Sequence, residues 1–110
     1  MKLPNREQAY IQPQKIKGYL LSESHAVGKS KAKLLRGVGF NETNWERLER
    51  GLLEIAFSEE VKEVERSPHG TKYKIEGTLA APNGSFVELR TVWIIDSGQE
   101  RPRFVTAHPL

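Results

Sequence analysis

One short stretch, residues 24–36, concentrates the side chains of this chain that could bind a phosphate. It holds a histidine, His25, and four cations with no acidic residue between them: Lys29, Lys31, Lys33 and Arg36. Gly28 allows the backbone to turn, and Ser30 is predicted to cap a helix that begins at Lys31. Because the free amides of a helix N-terminus attract anions, this corner is a candidate phosphate-binding site.

The residue types fit the cleavage of RNA without a metal. That reaction needs a base for the 2′-hydroxyl, an acid for the leaving 5′-oxygen and cations for the charge that develops on the phosphate. Imidazole titrates near neutral pH, so His25 suits either proton-transfer role. Lys31 and Arg90 could neutralise the phosphate, and Thr106 could donate a hydrogen bond to it. These four are the predicted catalytic residues. The predicted nucleic-acid-binding residues are Lys29, Ser30, Lys33 and Arg36.

Each of these residues also has a purely structural explanation. A histidine in a loop is most often a capping residue, and Lys31 can stretch over the edge of the core with its ammonium in water. Arg90 can pair across strands with Glu76, and Thr106 is simply a good strand former. The sequence shows no histidine or carboxylate cluster at metal-ligand spacing, so neither a metal nor a cofactor is expected.

Length and composition predict a single domain spanning residues 1–110. Hydrophobic residues make up 37% and charged residues 28%, which is typical of a globular protein, and the absence of cysteine excludes disulfides and thiolate metal sites. No apolar run has the length of a membrane helix or a signal-peptide core, so we expect a cytoplasmic protein with no membrane partner. Residues 1–58 carry ten Lys/Arg against six Asp/Glu, an excess that permits RNA as a partner.

Hydrophobic periodicity predicts three helices in the N-terminal half. They are expected over residues 13–21, 31–38 and 43–58, with Pro13 in the first turn of the first helix and Gly39 after the second. The third is expected to open with a capping box, Thr43-x-x-Glu46. The apolar positions of the first and third helices recur at steps of three and four: Ile16, Tyr19, Leu20, Trp45, Leu48, Leu52 and Ile55.

From residue 60 the period changes to two. Strands are predicted over residues 61–66, 71–81, 85–96 and 103–108, joined by short turns, which makes the sheet an antiparallel meander. The expected fold is therefore α+β, with three N-terminal helices packed on one face of four antiparallel strands. On the last strand, alternation places Val105 and Ala107 in the core and Phe104, Thr106 and His108 on the opposite face.

Three segments together resemble a family of small bacterial and phage domains. They are Leu3-Pro4-Asn5, His25-x-x-Gly28-x-Ser30-Lys31-Ala32, and the C-terminal pair Thr91-Val92-Trp93-Ile94 and Val105-Thr106-Ala107-His108-Pro109. Through its architecture, that family resembles the barnase/EndoU/colicin/RelE group of ribonucleases and toxins. Members of the family often have an aromatic residue where this chain has His108, so that histidine is either an added catalytic imidazole or without a role.

The resemblance implies a toxin-type or effector-type endoribonuclease that acts by acid–base chemistry on RNA. A cognate inhibitor or immunity protein would then be a further partner. The alternative is a non-catalytic module that binds nucleic acid or a protein through the basic corner. Convergence of His25, Lys31, Arg90 and Thr106 around one concavity would favour the enzyme, whereas scattered positions would favour the module.

Overall fold

The computed structural model describes residues 1–110, and it confirms the α+β architecture. A single turn of 3-10 helix (Arg6–Gln8) precedes three helical elements: α1 (Pro13–Lys15), which continues into a π-helical turn (Ile16–Leu20), α2 (Lys29–Gly37) and α3 (Trp45–Ser58). Four strands follow: β1 (Val61–Ser67), β2 (Gly70–Ala80), β3 (Phe86–Asp96) and β4 (Arg103–Pro109). None of the helices is long and apolar enough to cross a bilayer.

The first helix ends in a π turn instead of the regular α-helix predicted to Leu21. The amide of Leu21 donates to the carbonyl of Ile16 at 2.9 Å, a bond that spans five residues. The extra residue in the turn changes which side chains face the core. Leu20 and Leu21 are both fully buried, whereas Tyr19, predicted within the buried stripe, is only half-buried. The π turn therefore leaves the Tyr19 hydroxyl free to meet other elements.

The second helix begins at Lys29, so the predicted start at Lys31 with Ser30 as cap is wrong. A helical turn precedes it, and the Lys29 amide donates to the carbonyl of His25 at 3.0 Å. Gly28 has an ordinary φ of −81°, so it is not needed for an unusual turn. Instead, a Cβ at this position would lie 2.3 Å from the carbonyl oxygen of Tyr19. Close packing of α2 on the π turn is what requires glycine here.

The end of α2 follows the predicted capping pattern. Gly39 has a φ of +109°, and the amide of Phe40 donates to the carbonyl of Leu35 at 3.1 Å. This left-handed glycine turn satisfies the last carbonyls of the helix and folds the next residue back. Phe40 is consequently buried in the core.

The capping box predicted for α3 is not formed. The hydroxyl and the amide of Thr43 both donate to the side-chain oxygen of Asn41, at 2.5 and 2.8 Å. Asn44 precedes the first helical residue, Trp45, and its side-chain amide donates to the carbonyl of Gly39 at 2.9 Å. Thr43 thus takes part in a turn stabilised by the Asn41 side chain, and its hydroxyl is not available to cap α3.

The sheet is the expected meander in the order β1-β2-β3-β4, with all neighbours antiparallel. Its inner face meets the helices, and Leu89 and Trp93 of β3 are buried there with Leu48 and Leu52 of α3. Thr91 is also fully buried, and its hydroxyl donates to the carbonyl of Ile75 while accepting the indole N–H of Trp93. The inner face therefore buries no unsatisfied polar side-chain atom.

A β-bulge in β4 changes the predicted alternation. Val92 pairs with Thr106, but its neighbour Trp93 pairs with Phe104, which leaves Val105 as the extra residue. Phe104 is fully buried, with its ring 5.2 Å from that of Trp93 and nearly perpendicular to it. The predicted placement of Phe104 outside and Val105 inside is wrong because periodicity alone does not register an inserted residue. Ala107, beyond the bulge, is buried as predicted.

We expect Leu52→Ala to lower the free energy of unfolding by about 2–5 kcal/mol, the usual range for a buried leucine. Leu52 is completely buried at the centre of α3, so the truncation leaves a cavity between helix and sheet. Chemical denaturation of the variant beside the wild type measures the loss. A decrease below about 1 kcal/mol would contradict the central position of α3 in the core.

Candidate functional site

Lys31 is the centre of a hydrogen-bonded triad with Tyr19 and Thr106. The Lys31 ammonium lies 2.6 Å from the Tyr19 hydroxyl and 3.0 Å from the Thr106 hydroxyl, and the two hydroxyl oxygens are 2.8 Å apart. The three residues come from α2, the π turn and the edge strand β4. Three elements distant in sequence therefore place their polar groups at one point.

The surroundings hold the Lys31 side chain in position. Its ammonium lies 5.0 Å from the centroid of the Tyr19 ring, a favourable cation–π distance. Its stem borders a small apolar cavity whose other walls include Leu34 and Ala107. This confirms the predicted position at the edge of the core. An ammonium has three N–H donors, of which two are used here, so one remains for a ligand.

The Tyr19 phenol is made more acidic by this arrangement. Burial acts to raise the pKa of Tyr19, but hydrogen bonds with Lys31 and Thr106, together with the charges of Lys31 and Lys15, outweigh it. The pKa of Tyr19 consequently lies below its ordinary value. A phenol of this kind gives up its proton more readily than a free tyrosine, which is a property of a proton donor in catalysis.

His25 acts as the cap of the turn that leads into α2. Its Nδ1 accepts the backbone N–H groups of Val27 at 3.1 Å and Gly28 at 3.0 Å. Because Nδ1 is an acceptor in both bonds, the proton of the neutral imidazole lies on Nε2. These amides were expected to be free for a phosphate, but the histidine itself occupies them. The Nε2–H group remains available to donate, and the ring meets that of Tyr19 edge-on at 5.0 Å.

Arg90 lies on the outer face of the sheet, apart from the triad. Its guanidinium donates to the carboxylate of Glu76 on β2, from Nε at 3.0 Å and from Nη2 at 2.7 Å. The cross-strand pair with Glu76 was the structural explanation weighed for this residue. In register, Arg90 lies opposite His108, whereas Thr106 lies opposite Val92. Three of the four predicted catalytic residues are therefore brought together, and Arg90 is two residue pairs away from Thr106 along the ladder between β3 and β4.

His108, interpreted from the sequence as either an added catalytic imidazole or a residue without a role, lies near Thr106 on the same strand. It follows Thr106 by two residues on β4, a spacing of about 6–7 Å on one side of a strand. His108 is exposed on β4, but partial desolvation of its imidazole lowers the pKa of His108, and the charges of Lys31, Arg90 and Lys74 lower it further. The imidazole is therefore neutral over a wider pH range than an ordinary histidine, as a proton acceptor needs to be.

The predicted nucleic-acid-binding residues divide into two groups. Lys29, Ser30 and Lys33 are exposed on α2. Arg36 instead donates to the carbonyl of Leu21, from Nε at 2.9 Å and from Nη2 at 2.6 Å, and it also pairs with Glu42. The hydrogen bond from Arg36 is the main reason why the pKa of Glu42 falls to about 2. Arg36 thus anchors α2 to the preceding loop, and its charge is already neutralised.

A surface concavity of about 480 Å³ adjoins the triad. Its lining comes from α1, the π turn, the loop before α2 and β4: Gln12, Gln14, Lys15, Gly18, Tyr19, His25, Val27, Val105 and Thr106. His25 and Thr106 thus share one concavity, which Lys31 meets through its bonds to Tyr19 and Thr106. No group of three or more histidine, aspartate or glutamate side chains is arranged to hold a metal ion.

The sequence did not predict the polar contacts of Tyr19 with Lys31 and Thr106. Periodicity placed this residue in an apolar stripe, yet a tyrosine hydroxyl usually finds a polar partner when its ring is buried. That requirement was the available signal, because Lys31 was already expected at the same edge of the core. Lys15, 5.4 Å from the centroid of the Tyr19 ring, was likewise not singled out.

Residues 2–110 match the sequence profile of a family described as a domain of unknown function, DUF6883. The chain belongs to this family. No curated protein matches it. Among solved structures, it is similar to a chain of a contact-dependent growth inhibition toxin–immunity protein complex from Klebsiella pneumoniae 342, with a TM-score of 0.72. That similarity covers 94% of this chain and 95% of the other at 14% identity, and it shows a shared fold.

The capping role of His25 has a measurable consequence for stability. We expect His25→Ala to lower the free energy of unfolding by about 1 kcal/mol, because two amides at the start of the helical turn lose their acceptor. His25→Asn keeps an acceptor at the capping position and should lose less than half of that. Thermal or chemical denaturation of the two variants and the wild type measures these losses. If His25→Ala is as stable as the wild type, His25 does not stabilise the protein as a cap.

Proposed function

We propose that this DUF6883 domain is a metal-independent endoribonuclease of the toxin or effector type. The observation that carries the proposal is the convergence of Lys31, Tyr19 and Thr106 from three separate elements at the rim of a concavity that His25 also lines. A cation, an acidified phenol and hydrogen-bond donors at one point can supply the acid and the charge stabilisation that phosphate cleavage requires. The fold shared with a chain of a toxin–immunity complex and the family's architectural resemblance to ribonuclease toxins support the toxin type.

Two residues carry out the proton transfers of the proposed reaction. His108, neutral because of its lowered pKa, accepts the proton of the ribose 2′-hydroxyl, whose oxygen then forms a bond to the adjacent phosphorus. The bond from phosphorus to the 5′-oxygen breaks as Tyr19 donates its proton to that oxygen. The products are a 2′,3′-cyclic phosphate and a free 5′-hydroxyl, so no water is consumed in this step.

The remaining groups stabilise charge. The Lys31 ammonium and the Thr106 hydroxyl bind the non-bridging phosphate oxygens, where negative charge accumulates in the transition state. His25 contributes through Nε2–H as a neutral donor, since its Nδ1 is held by backbone amides. The charge of Arg90, which lies opposite His108 in register, favours the neutral imidazole. Exposed Lys29 and Lys33 bind the flanking RNA backbone, with Ser30 beside them.

The chain would act as one domain on RNA, and a toxin of this type implies a cognate immunity protein that covers the site. A non-catalytic module that binds nucleic acid or protein is the second candidate. It is favoured by a specific observation, namely that His25 Nδ1 and the Arg90 guanidinium both make structural contacts. The two candidates differ in whether RNA is cut.

Incubation of purified protein with total RNA in the presence of EDTA tests the proposal. We expect fragments that end in 2′,3′-cyclic phosphate, and we expect EDTA to leave the rate unchanged because no residue assigned here needs a metal. RNA binding should weaken steeply with salt, since phosphate contacts release counterions. Salt-dependent binding without cleavage would identify a module that binds nucleic acid. If the protein neither binds nor cuts RNA, a module that binds a protein partner would be favoured instead.

A further inference from the structure

The concavity beside the triad has features that the cleavage step does not use. Its volume of about 480 Å³ falls within the range of small-ligand sites, roughly 300–1,000 Å³. The hydrogen-bonded Tyr19 and Thr106, where the phosphate would lie, line it together with residues of α1 and of the loop before α2. A nucleotide whose phosphate meets Lys31 therefore has space for its base in this concavity.

The walls of the concavity suit the faces of a planar base. The rings of Tyr19 and His25 meet at an interplanar angle of 77°, so a base that stacks on one ring contacts the edge of the other. Val27 adds an apolar side chain that is 63% exposed beside them. Aromatic side chains of this kind are the usual platforms for unstacked bases in RNA-binding proteins.

The rim of the concavity supplies groups that can bond to the edges of a base. Gln12 and Gln14 each carry an amide with two donors and one acceptor. The amide of Gln14 lies directly against Gly18, where an added Cβ would come within 2.1 Å of Nε2. A glycine inside a helical element is unfavourable for the helix, and here it makes room for that amide. The same π turn thus positions both the Tyr19 hydroxyl and the Gln14 side chain.

We propose that this concavity is a nucleobase subsite, in which one base of the bound RNA stacks on one ring of the Tyr19–His25 pair, contacts the other ring, and bonds to the amides of Gln12 and Gln14. The inference rests on the proposed function, because it assigns the nucleotide whose phosphate is cut. Lys15 at the same wall would contact the phosphate or ribose of that nucleotide. The subsite gives the protein a preference among bases that the triad alone cannot supply.

Nucleotide binding tests the subsite without relying on activity. The four nucleoside 5′-monophosphates are titrated into the full chain beside ribose 5-phosphate, which has the same phosphate and sugar but no base. We expect at least one nucleotide to bind tenfold or more tightly than ribose 5-phosphate. Gln14→Ala and Gly18→Val, which remove or displace the amide, should reduce this ratio at least threefold. Gln99→Ala, an exposed glutamine in the loop before β4, should leave it unchanged.

Equal binding of ribose 5-phosphate and all four nucleotides would overturn the subsite, as would a ratio that Gln14→Ala and Gly18→Val both leave intact. Circular dichroism of each variant shows whether it is folded. Gln14 is exposed, so Gln14→Ala should fold and still tests the subsite if Gly18→Val does not fold. The two proposals fail separately. RNA cleavage with no nucleotide preference rejects the subsite alone, whereas base-dependent binding without cleavage rejects the enzyme and retains the subsite.

Discussion

Replacement of Lys31 by alanine is expected to lower the rate constant of RNA cleavage by about 10²–10³-fold, the usual effect of losing one preorganised charge-stabilising donor. The ammonium is held by two hydroxyl groups, at 2.6 and 3.0 Å, with one donor free for the phosphate. Since negative charge on the phosphate grows in the transition state, the loss should appear mainly in kcat.

The stability of the Lys31→Ala variant should change by only about 1 kcal/mol, because Tyr19 and Thr106 remain hydrogen-bonded to each other at 2.8 Å. Lys62→Ala is the control: it removes the same charge from an exposed position on β1, the opposite edge of the sheet. Single-turnover cleavage of an oligoribonucleotide compares the three proteins. A decrease of less than about threefold for Lys31→Ala, or equal losses at positions 31 and 62, would remove Lys31 from the catalytic site.

The overall fold could be predicted because its main elements have strong periodic patterns. Apolar residues recur at steps of three and four along α3 and alternate with polar ones along β3. These patterns predict which face of the helix packs on which face of the sheet, and Leu52 and Trp93 are both completely buried there. Short turns between strands leave few topologies other than a meander. The four strand positions were consequently predicted to within about two residues, the usual uncertainty of element boundaries.

The details that shape the candidate site could not be predicted in the same way. The π turn at Ile16–Leu20 and the bulge at Val105 each insert one residue into a regular element. After such an insertion, the side chains that follow point in a different direction: to the other face in a strand, or rotated around the axis in a helix. The hydrophobic periodicity of the sequence remains almost unchanged. The turn releases Tyr19 from the core, and the bulge allows Phe104 and Ala107 to be buried in the same strand.

The positions of Lys31 and Thr106 could be predicted in part, because helix spacing and strand alternation place them. Lys31 lies one helical turn before Leu34 and Leu35, so its position at the core edge follows from helix spacing. The use of His25 Nδ1 as a cap depends on the exact start of α2. The sequence predicted that start at Lys31, whereas the helix begins two residues earlier, at Lys29. Helix ends are decided by competing local hydrogen bonds, and these are the least predictable part of the chain.

The two residues assigned to proton transfer predict a bell-shaped dependence of cleavage on pH. His108 must be neutral to accept a proton, so activity should fall as pH decreases through its pKa, which lies below that of an ordinary histidine. Tyr19 must be protonated to act as an acid, so activity should fall as pH rises through its pKa, which lies below that of an ordinary tyrosine. Each limb therefore reports on a different residue.

Tyr19→Phe is expected to lower the cleavage rate by about 10²–10⁴-fold, the typical contribution of one positioned proton-transfer group. The substitution keeps the ring that packs against His25 and Lys31 and removes only the hydroxyl, and Lys31 retains its bond to Thr106 at 3.0 Å. The fold and the base-stacking wall should therefore persist. What is lost is the proton that the leaving 5′-oxygen receives.

The pH profile separates this role from a structural one. If Tyr19 is the acid, the residual activity of Tyr19→Phe should lack the alkaline limb while its acid limb, set by His108, stays in place. Tyr10→Phe is the control, because Tyr10 lies at the other end of β4, beside Arg103, and outside the concavity. An unchanged alkaline limb in Tyr19→Phe would show that another group protonates the leaving oxygen. Tyr19 would then act by positioning Lys31, and the variant should resemble Lys31→Ala in rate and in salt dependence.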